Sequence, residues 1–584
     1  MCLPKGGKMN IQKFIHEIVK NIPKSQPKKI VYQDVNLYFG SLDYFRSYRI
    51  EEGIIIFWEG HKLFVSPLFN KKYKICSHCF LEHRNQFKLN DFFGQGSKVV
   101  EIDGNNLYSE KLLYAISQLV QLKFESPLFD YFIIDDYRIS RHQFFRIANC
   151  DTCISNDKKC DNNIFNSIYE CQASSLREKL GDYSRYIQLN NKDTGFFRRE
   201  LTTLLNNAVT VELQYPLSQS EMISGIGIDT SYKKARSKAF LEAMERYSGI
   251  ISKGQKRLFF SLNDLSREVI DYLNPNEYLS LLGKNKINQD TKIHWLSAHN
   301  YQTQKTTLIP EDFIIYKTER KPISQKLINM SSNGHALGNT YKEAVIFSLF
   351  EMYERDYFLF HWYERKSPKE VNLSSIFDLE INHYLKLIKN LGYEISIYQL
   401  LSSKVMSIYW AFARGKNSNK FATYSTAGAH LFGKTAIISA LKELYFALYA
   451  YDQDVVLIQE NGHRMRPQDI TTVADHAIYY SVEERSQNFD FLKDAEIIDF
   501  GVESDYSIDV DTYYSILLEF TNKKFGNFYI VENTPIGLKE IGLCEVKVFV
   551  PGMQDMNFGY ENQYINHRRV RVSNHREIPI HPFP

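Results

Sequence analysis

The 584 residues are 44% hydrophobic and 14% aromatic, enough apolar material for a globular chain of two or three domains. A formal charge of +3, from 71 basic and 68 acidic residues with no basic tail, gives no reason to expect a nucleic-acid partner. No run of 18 apolar residues marks a membrane span, and the start MCLPKGGKMNIQKF lacks the apolar middle of a secretory signal, so cytoplasm is the expected location.

In chain order, residues 10–22 have helical periodicity that Pro23 and Pro27 end. Residues 53–66 read as a strand pair around Glu59-Gly60, 112–124 as a helix and 130–140 as a buried strand. Eight cysteines are too few for a disulfide scaffold of this length. Four of them form two Cys-x-x-Cys pairs, Cys76 with Cys79 and Cys150 with Cys153, whose thiolates suit a closed tetrahedral zinc site. His78, His83, Cys160 and Cys171 are substitutes with poorer spacing, and reduced core cysteines or a redox pair are the rival reading. Residues 1–165 thus form a small zinc-bearing α/β module for docking, and the polar stretch 166–185 a linker to a domain over 186–584.

Two helices in the long domain carry the same acidic spacing. Residues 232–250 hold Glu242, Glu245 and Arg246 beside an alanine stripe (Ala235, Ala239, Ala243) that marks a packed face. Residues 340–361 hold Glu343, Glu351, Glu354 and Arg355. On a helical wheel Glu343 and Glu354 fall within about 20° of each other, and Phe347 and Phe358 share their arc. Carboxylates interleaved with phenylalanines point to an acidic cluster that is partly buried. Such a cluster requires cations, and magnesium with a phosphate partner suits oxygen ligands. An amphipathic helix with charges at its rim is the plainer alternative. A glycine-containing turn is expected before each helix: SGIGIDTS before the first and SSNGHALGNT before the second. Alternating segments such as KIHWLSAHN, YEISIYQL, VMSIYWAFAR and GLCEVKVFVPGMQ supply the strands of an α/β domain.

Residues 225–248 and 331–356 resemble the nucleotide-binding core of the YcaO superfamily, and 425–448 resemble its downstream glycine–histidine turn and helix. The similarity runs over roughly residues 180–584. It implies an α/β fold in which a YcaO-type ATP-binding domain follows a small, partial ThiF-like domain that bears the zinc. It further implies ATP and Mg2+ as cofactors, with Glu242, Glu245, Glu343 and Glu354 on magnesium. Asn339, Glu351, Arg355, Arg246 and Glu443 are the implied nucleotide contacts. The implied activity is ATP-dependent cyclodehydration of Cys, Ser or Thr in a ribosomal precursor peptide to thiazoline or oxazoline, as in thiazole/oxazole-modified microcins. Thioamide or amidine formation, or a non-catalytic leader-binding scaffold, are the alternatives. A separate leader-binding ThiF-like partner, an azoline dehydrogenase and a homodimer complete the expected partners.

The last residues, EIPIHPFP, favour an extended conformer because proline fixes φ. They resemble the proline-rich terminus of azoline-forming YcaO enzymes, which implies that Pro584, His581 and Pro582 shape the reaction site. A frayed tail is the plain alternative. The sequence departs from the family at Ile580, which replaces a proline, and at Lys238, Ser348 and Ser439, which replace serine, glutamine and arginine.

Overall fold

The computed structural model describes residues 27–59, 62–70, 75–86, 107–121, 128–135, 138–145, 197, 199–205, 208–216, 222–250, 257–316, 326–501, 507–571 and 578–583. The helix expected at 10–22, Cys150, Cys153, Cys160, Cys171, the linker 166–185, Pro584 and the side chain of His83 lie outside them. The chain packs into two compact units. One gathers Met1–Asn166, Leu180–Ser248 and Thr534–Leu543; the other gathers Ser167–Lys179, Gly249–Asn533 and Cys544–Pro584.

The first unit opens with a six-stranded sheet in chain order: β1 (Lys28–Tyr32), β2 (Val35–Phe39), β3 (Ile54–Glu59), β4 (Lys62–Val65), β5 (Leu128–Ile134) and β6 (Ile139–Phe145). β3 and β4 pair across Glu59-Gly60, as the pattern predicts. The single strand expected over 130–140 is instead the hairpin β5–β6, because Asp135 turns the chain by accepting from the Arg138 N–H at 2.8 Å. Ile54 to Phe57 are fully buried, since both faces of β3 are covered. Ile54 and Ile56 pack with the apolar side of α3 (Leu107–Gln121), while Ile55 and Phe57 join a cluster fed by α1 (Leu42–Ser47) and α2 (Ser77–Gln86).

The same unit contains β7 (Arg199–Leu205), β8 (Ala208–Pro216), β9 (Met222–Asp229) and the first acidic helix, α4 (Tyr232–Ile250). SGIGIDTS is therefore mostly strand and not the expected turn. Its glycines serve close packing: a Cβ on Gly225 would stand 2.3 Å from the Ala239 carbonyl, and one on Gly227 1.8 Å from that of Ala235. The alanine stripe is the helix side of the same contact.

The second unit holds two sheets. One has the order β10 (Leu258–Phe260), β11 (Ile293–Asn300), β19 (Tyr529–Glu532), β20 (Cys544–Phe549), β13 (His335–Gly338), with β12 (Lys305–Pro310) also on β11. The other runs β17 (Thr423–His430), β16 (Ser407–Gly415), β15 (Tyr393–Ser402), β14 (Lys369–Asn372), β18 (Ile497–Asp499). The second acidic helix, α5 (Tyr341–Glu364), touches β13 and β20 of one sheet and β15, β16 and β17 of the other. Thr340 caps it by accepting from the Glu343 N–H at 3.1 Å. Val345, Ile346, Leu349, Met352, Phe358, Leu359 and Trp362 point all round this helix and are fully buried. A helix apolar on every side has to sit inside a core. Helices α6 (Leu379–Asn390) and α7 (Gly433–Tyr451) cover the other face of the five-stranded sheet, where Gly428 again leaves room for Ala436. Among the described residues no helix is long and apolar enough to cross a membrane.

Gly227→Ala should lower stability by an amount typical of overpacking, about 1–3 kcal/mol or more, and with it the thermal midpoint, because backbone and not a flexible side chain is in the way. Gly526→Ala, with nothing within 4 Å of its Cβ, carries only the strain of its positive φ. Differential scanning calorimetry of the two variants should rank Gly227→Ala as the more damaging.

Candidate functional site

The acidic residues of α4 run along the free edge of β9. Glu242 accepts from the Ile226 N–H at 3.0 Å, and Arg246 donates to the Ser224 carbonyl at 2.6 Å. One turn earlier, Lys238 donates to the Ile228 carbonyl at 3.1 Å and pairs with Asp229 at 2.7 Å. Positions 238, 242 and 246 thus satisfy alternate backbone groups of an edge strand. This gives the lysine at the departed position a physical role. Glu242 and Arg246 also form an ion pair at 2.6 Å and are each about one-third exposed. Glu245 is half-buried on the same helix.

On α5 each carboxylate meets a main-chain donor. Glu343, only 2% exposed, accepts from the Asn339 N–H at 2.7 Å. Glu351 accepts from the Gly334 N–H at 2.9 Å. Glu354 receives the Ala429 N–H, from the strand that leads into α7. The wheel places Glu343 and Glu354 on one face, but eleven residues of rise separate them by about 16 Å. They are therefore not ligands of one ion.

Glu351 and Glu354 do come together, flanking Arg355, and Glu443 of α7 faces Glu354. The arginine lies 3.8 Å from Glu354 and 3.9 Å from Glu351, and its guanidinium sits 4.0 Å above the ring of Phe583. Burial pushes the Glu354 carboxyl up to about 8; Glu443 and Glu351 add to the rise, while Arg355 and the Ala429 N–H oppose it. A loaded acidic cluster of this kind marks a functional site more often than a structural one.

The tail is not frayed. Ile580, His581 and Phe583 are almost fully buried. His581 Nε2 lies 2.9 Å from the Asn557 carbonyl, to which it donates. Burial holds its imidazole well below the ordinary value, so the ring is neutral. The structure places His581 as an anchor of the tail, with Pro582 buried beside it.

Sequence reasoning missed a second buried polar group. Lys547, in the middle of β20, has no exposure and donates to the Asn333 carbonyl. Asn333 donates to Asp555 at 3.2 Å, and Tyr278 donates to the same carboxylate at 2.6 Å. This network clamps the turn whose Gly334 N–H holds Glu351, and Ser348 tightens it by bonding the Gly334 carbonyl and the Val548 N–H. Ser348 thus has a packing role at the position where glutamine is usual. The available signal was a lysine flanked by valines in an apolar strand, an expensive charge that has to be matched.

Cys76 and Cys79 are buried with their sulfurs 3.7 Å apart. Two thiolates at about 2.3 Å from one tetrahedral zinc stand about 3.8 Å apart, so this pair fits the metal. His78 Nε2, between them in sequence, is buried without a hydrogen-bond partner among the described residues. Among the described residues no three His, Cys, Asp or Glu side chains are gathered as a ready metal cage. The carboxylates around Arg355 nevertheless suit magnesium, which ordinarily takes one or two carboxylates and completes its shell with water and phosphate oxygens.

The YcaO cyclodehydratase family, described as binding ATP and Mg2+, matches residues 226–554, more than half of the chain. An uncharacterized protein of Methanothermobacter thermautotrophicus is 28% identical over 214 residues, which are 36% of this chain and 53% of that protein. The chain therefore spans about half the length of this curated relative. A solved heterocyclase in complex with substrate and cofactor aligns over 96% of this chain and 81% of its own, with TM-score 0.66 and 15% identity. The heterocyclase TruD aligns over 95% and 79%, with TM-score 0.56 and 15% identity. At that identity the two likenesses establish the fold.

The Glu354 carboxyl makes a signed prediction. Unfolded, it ionises near the ordinary value of 4.5; folded, it keeps its proton to about 8. Its cost to folding therefore grows from pH 4.5 to 8 and is constant above. In metal-free protein Glu354→Gln should raise the thermal midpoint, and by more at pH 9 than at pH 6. An equal midpoint gain at the two pH values would show that the carboxyl is not displaced.

Proposed function

The chain belongs to the YcaO cyclodehydratase family, and from that premise we propose that it cyclises Cys, Ser or Thr residues of a ribosomal precursor peptide to thiazolines or oxazolines at the expense of ATP. One observation carries the reading: Glu351 and Glu354 flank Arg355 against the buried end of the tail, with Glu443 facing Glu354. Oxygen donors beside a fixed guanidinium suit a triphosphate and its metal.

In this proposal the side-chain thiol or hydroxyl of the peptide attacks the preceding amide carbonyl. The oxygen so generated takes the γ-phosphoryl group of ATP, releasing ADP, and departure of phosphate, with loss of the attacking group's proton and of the amide N–H proton, leaves the ring. Bound magnesium would neutralise the triphosphate and the charge that develops on the transferred group. Glu343 and Glu354, three turns apart on α5, would hold separate ions, and Glu242 and Glu245 of α4 are likewise proposed as magnesium ligands. Arg355, Arg246, Asn339, Glu351 and Glu443 orient the nucleotide. The carboxy-terminal segment borders the site through Phe583 and excludes water from Arg355.

The amino-terminal module, residues 1–165, is proposed as a partial ThiF-like docking domain with zinc on Cys76, Cys79, Cys150 and Cys153. A separate leader-binding protein would dock there, and the azolines are open to a dehydrogenase. Cys76→Ser should reduce zinc, measured by plasma mass spectrometry, from about one per chain to almost none. A native protein with no zinc would refute the site.

Incubation with ATP, Mg2+ and a precursor peptide should lower the peptide mass by one water per ring. Glu→Gln at 242, 245, 343 or 354 should each cut that rate by about a hundredfold or more. Exchange of oxygen for sulfur would identify thioamide chemistry instead, and four fully active variants would remove the site.

A further inference from the structure

Three consecutive carbonyls at the end of the chain are each taken by a different aromatic donor. Trp362 Nε1 donates to the Pro579 carbonyl at 3.0 Å, the Tyr480 hydroxyl to that of Ile580 at 2.7 Å, and His476 Nδ1 to that of His581 at 2.7 Å. Trp362 belongs to α5. His476 lies on α8 (Val473–Tyr479), with Tyr480 just beyond it, some 100 residues before the segment they hold. The proline ring at 582 has no N–H to satisfy, which removes one donor from a buried stretch.

His476 is committed on both sides. Its Nδ1–H goes to the tail, and its Nε2 accepts from the Gly559 N–H at 3.1 Å. That pairing sets the tautomer, and burial holds the ring down to about 4, neutral across the physiological range. Its ring also stacks on that of His581, with centroids 4.2 Å apart and planes 23° apart. Two residues after His581, Phe583 lies edge-on to Phe358 at 4.8 Å and carries the Arg355 guanidinium on its face at 4.0 Å. A shift of His476 is therefore passed along two residues of stiff backbone to the arginine of the acidic cluster. What this pocket reads at 579–581 is main chain, so a proline at 580 is not required, and Ile580 supplies apolar surface at that position instead.

We propose that His476 and Tyr480 are positioning residues: they form a receptor for the backbone of residues 580 and 581 and thereby hold Phe583 against Arg355 in the geometry that phosphoryl transfer needs. The inference rests on the reading of the Arg355 cluster as an ATP site. Neither residue touches a reacting group. Their effect should fall on the rate of the chemical step and not on nucleotide affinity, because misplacement by about 1 Å can cost on the order of a hundredfold.

The test compares His476→Phe, which keeps a planar aromatic side chain of somewhat larger volume but loses both hydrogen bonds, with His476→Asn, whose smaller amide can restore the donor to His581. In His476→Phe the amides of Ile580, His581 and Phe583 should exchange with solvent about tenfold faster or more, by mass spectrometry. The kcat for ATP-dependent peptide modification should fall about tenfold to a hundredfold, with KM for ATP changed far less. His476→Asn should recover most of both, and Tyr480→Phe should show a smaller loss of the same kind. Unchanged exchange in His476→Phe, or kcat and ATP affinity lost together in proportion to folded protein, would overturn the proposal. A wild-type chain that consumes no ATP with any precursor peptide speaks against the ATP site itself; the exchange comparison still decides the receptor.

Discussion

Burying α5 between two sheets takes most of the water from its carboxylates, and much of the second unit is arranged around that constraint. Each of Glu343, Glu351 and Glu354 receives a backbone N–H, from Asn339, Gly334 and Ala429. Asp356, fully buried on the same helix, takes three guanidinium bonds from Arg569 and the Gln554 N–H. These donors offset desolvation one group at a time. Glu354 is the group they leave short: burial raises its carboxyl to about 8, and Glu443 and Glu351 add to the rise. The helix is thus stable as a core element and under-compensated at one end of its acidic row. A divalent cation, its shell completed by phosphate oxygens, would complete that end.

The first acidic helix solves a different problem. Lys238, Glu242 and Arg246 line the open edge of β9, where unpaired backbone groups would otherwise invite another strand. The close approach that makes this possible depends on Gly225 and Gly227 facing alanines. The same strand–helix contact recurs at Gly338 against Ala344 and at Gly428 against Ala436. Three helices with acidic residues therefore sit close on the strands that precede them, and small residues at the contact permit it.

The tail joins these parts within the second unit. Its backbone is held by Trp362, Tyr480 and His476, and its last described ring supports Arg355. Trp362 and Arg355 are seven residues apart on α5, two turns on roughly one side of the helix. One helix therefore both grips the segment and presents the residue the segment steadies.

Much was legible from sequence alone. The acidic helices, their alanine face, the hairpin at Glu59-Gly60 and most strands of the second unit follow from local periodicity, which is a property of neighbouring residues. The resemblance of three segments was enough to point to the family that matches residues 226–554. Other features depended on distance in space. A helical wheel cannot convey the rise that separates Glu343 from Glu354. The glycines of SGIGIDTS read as a turn until a helix lies against them, and DYFIIDDYRIS reads as one strand until Asp135 bonds Arg138. Lys547 and His476 took on meaning only with their partners, residues far along the chain that approach when the sheets close over α5. Period and composition decided which elements form; long-range packing decided which polar groups face each other, because those partners are set by the core and not by the local chain.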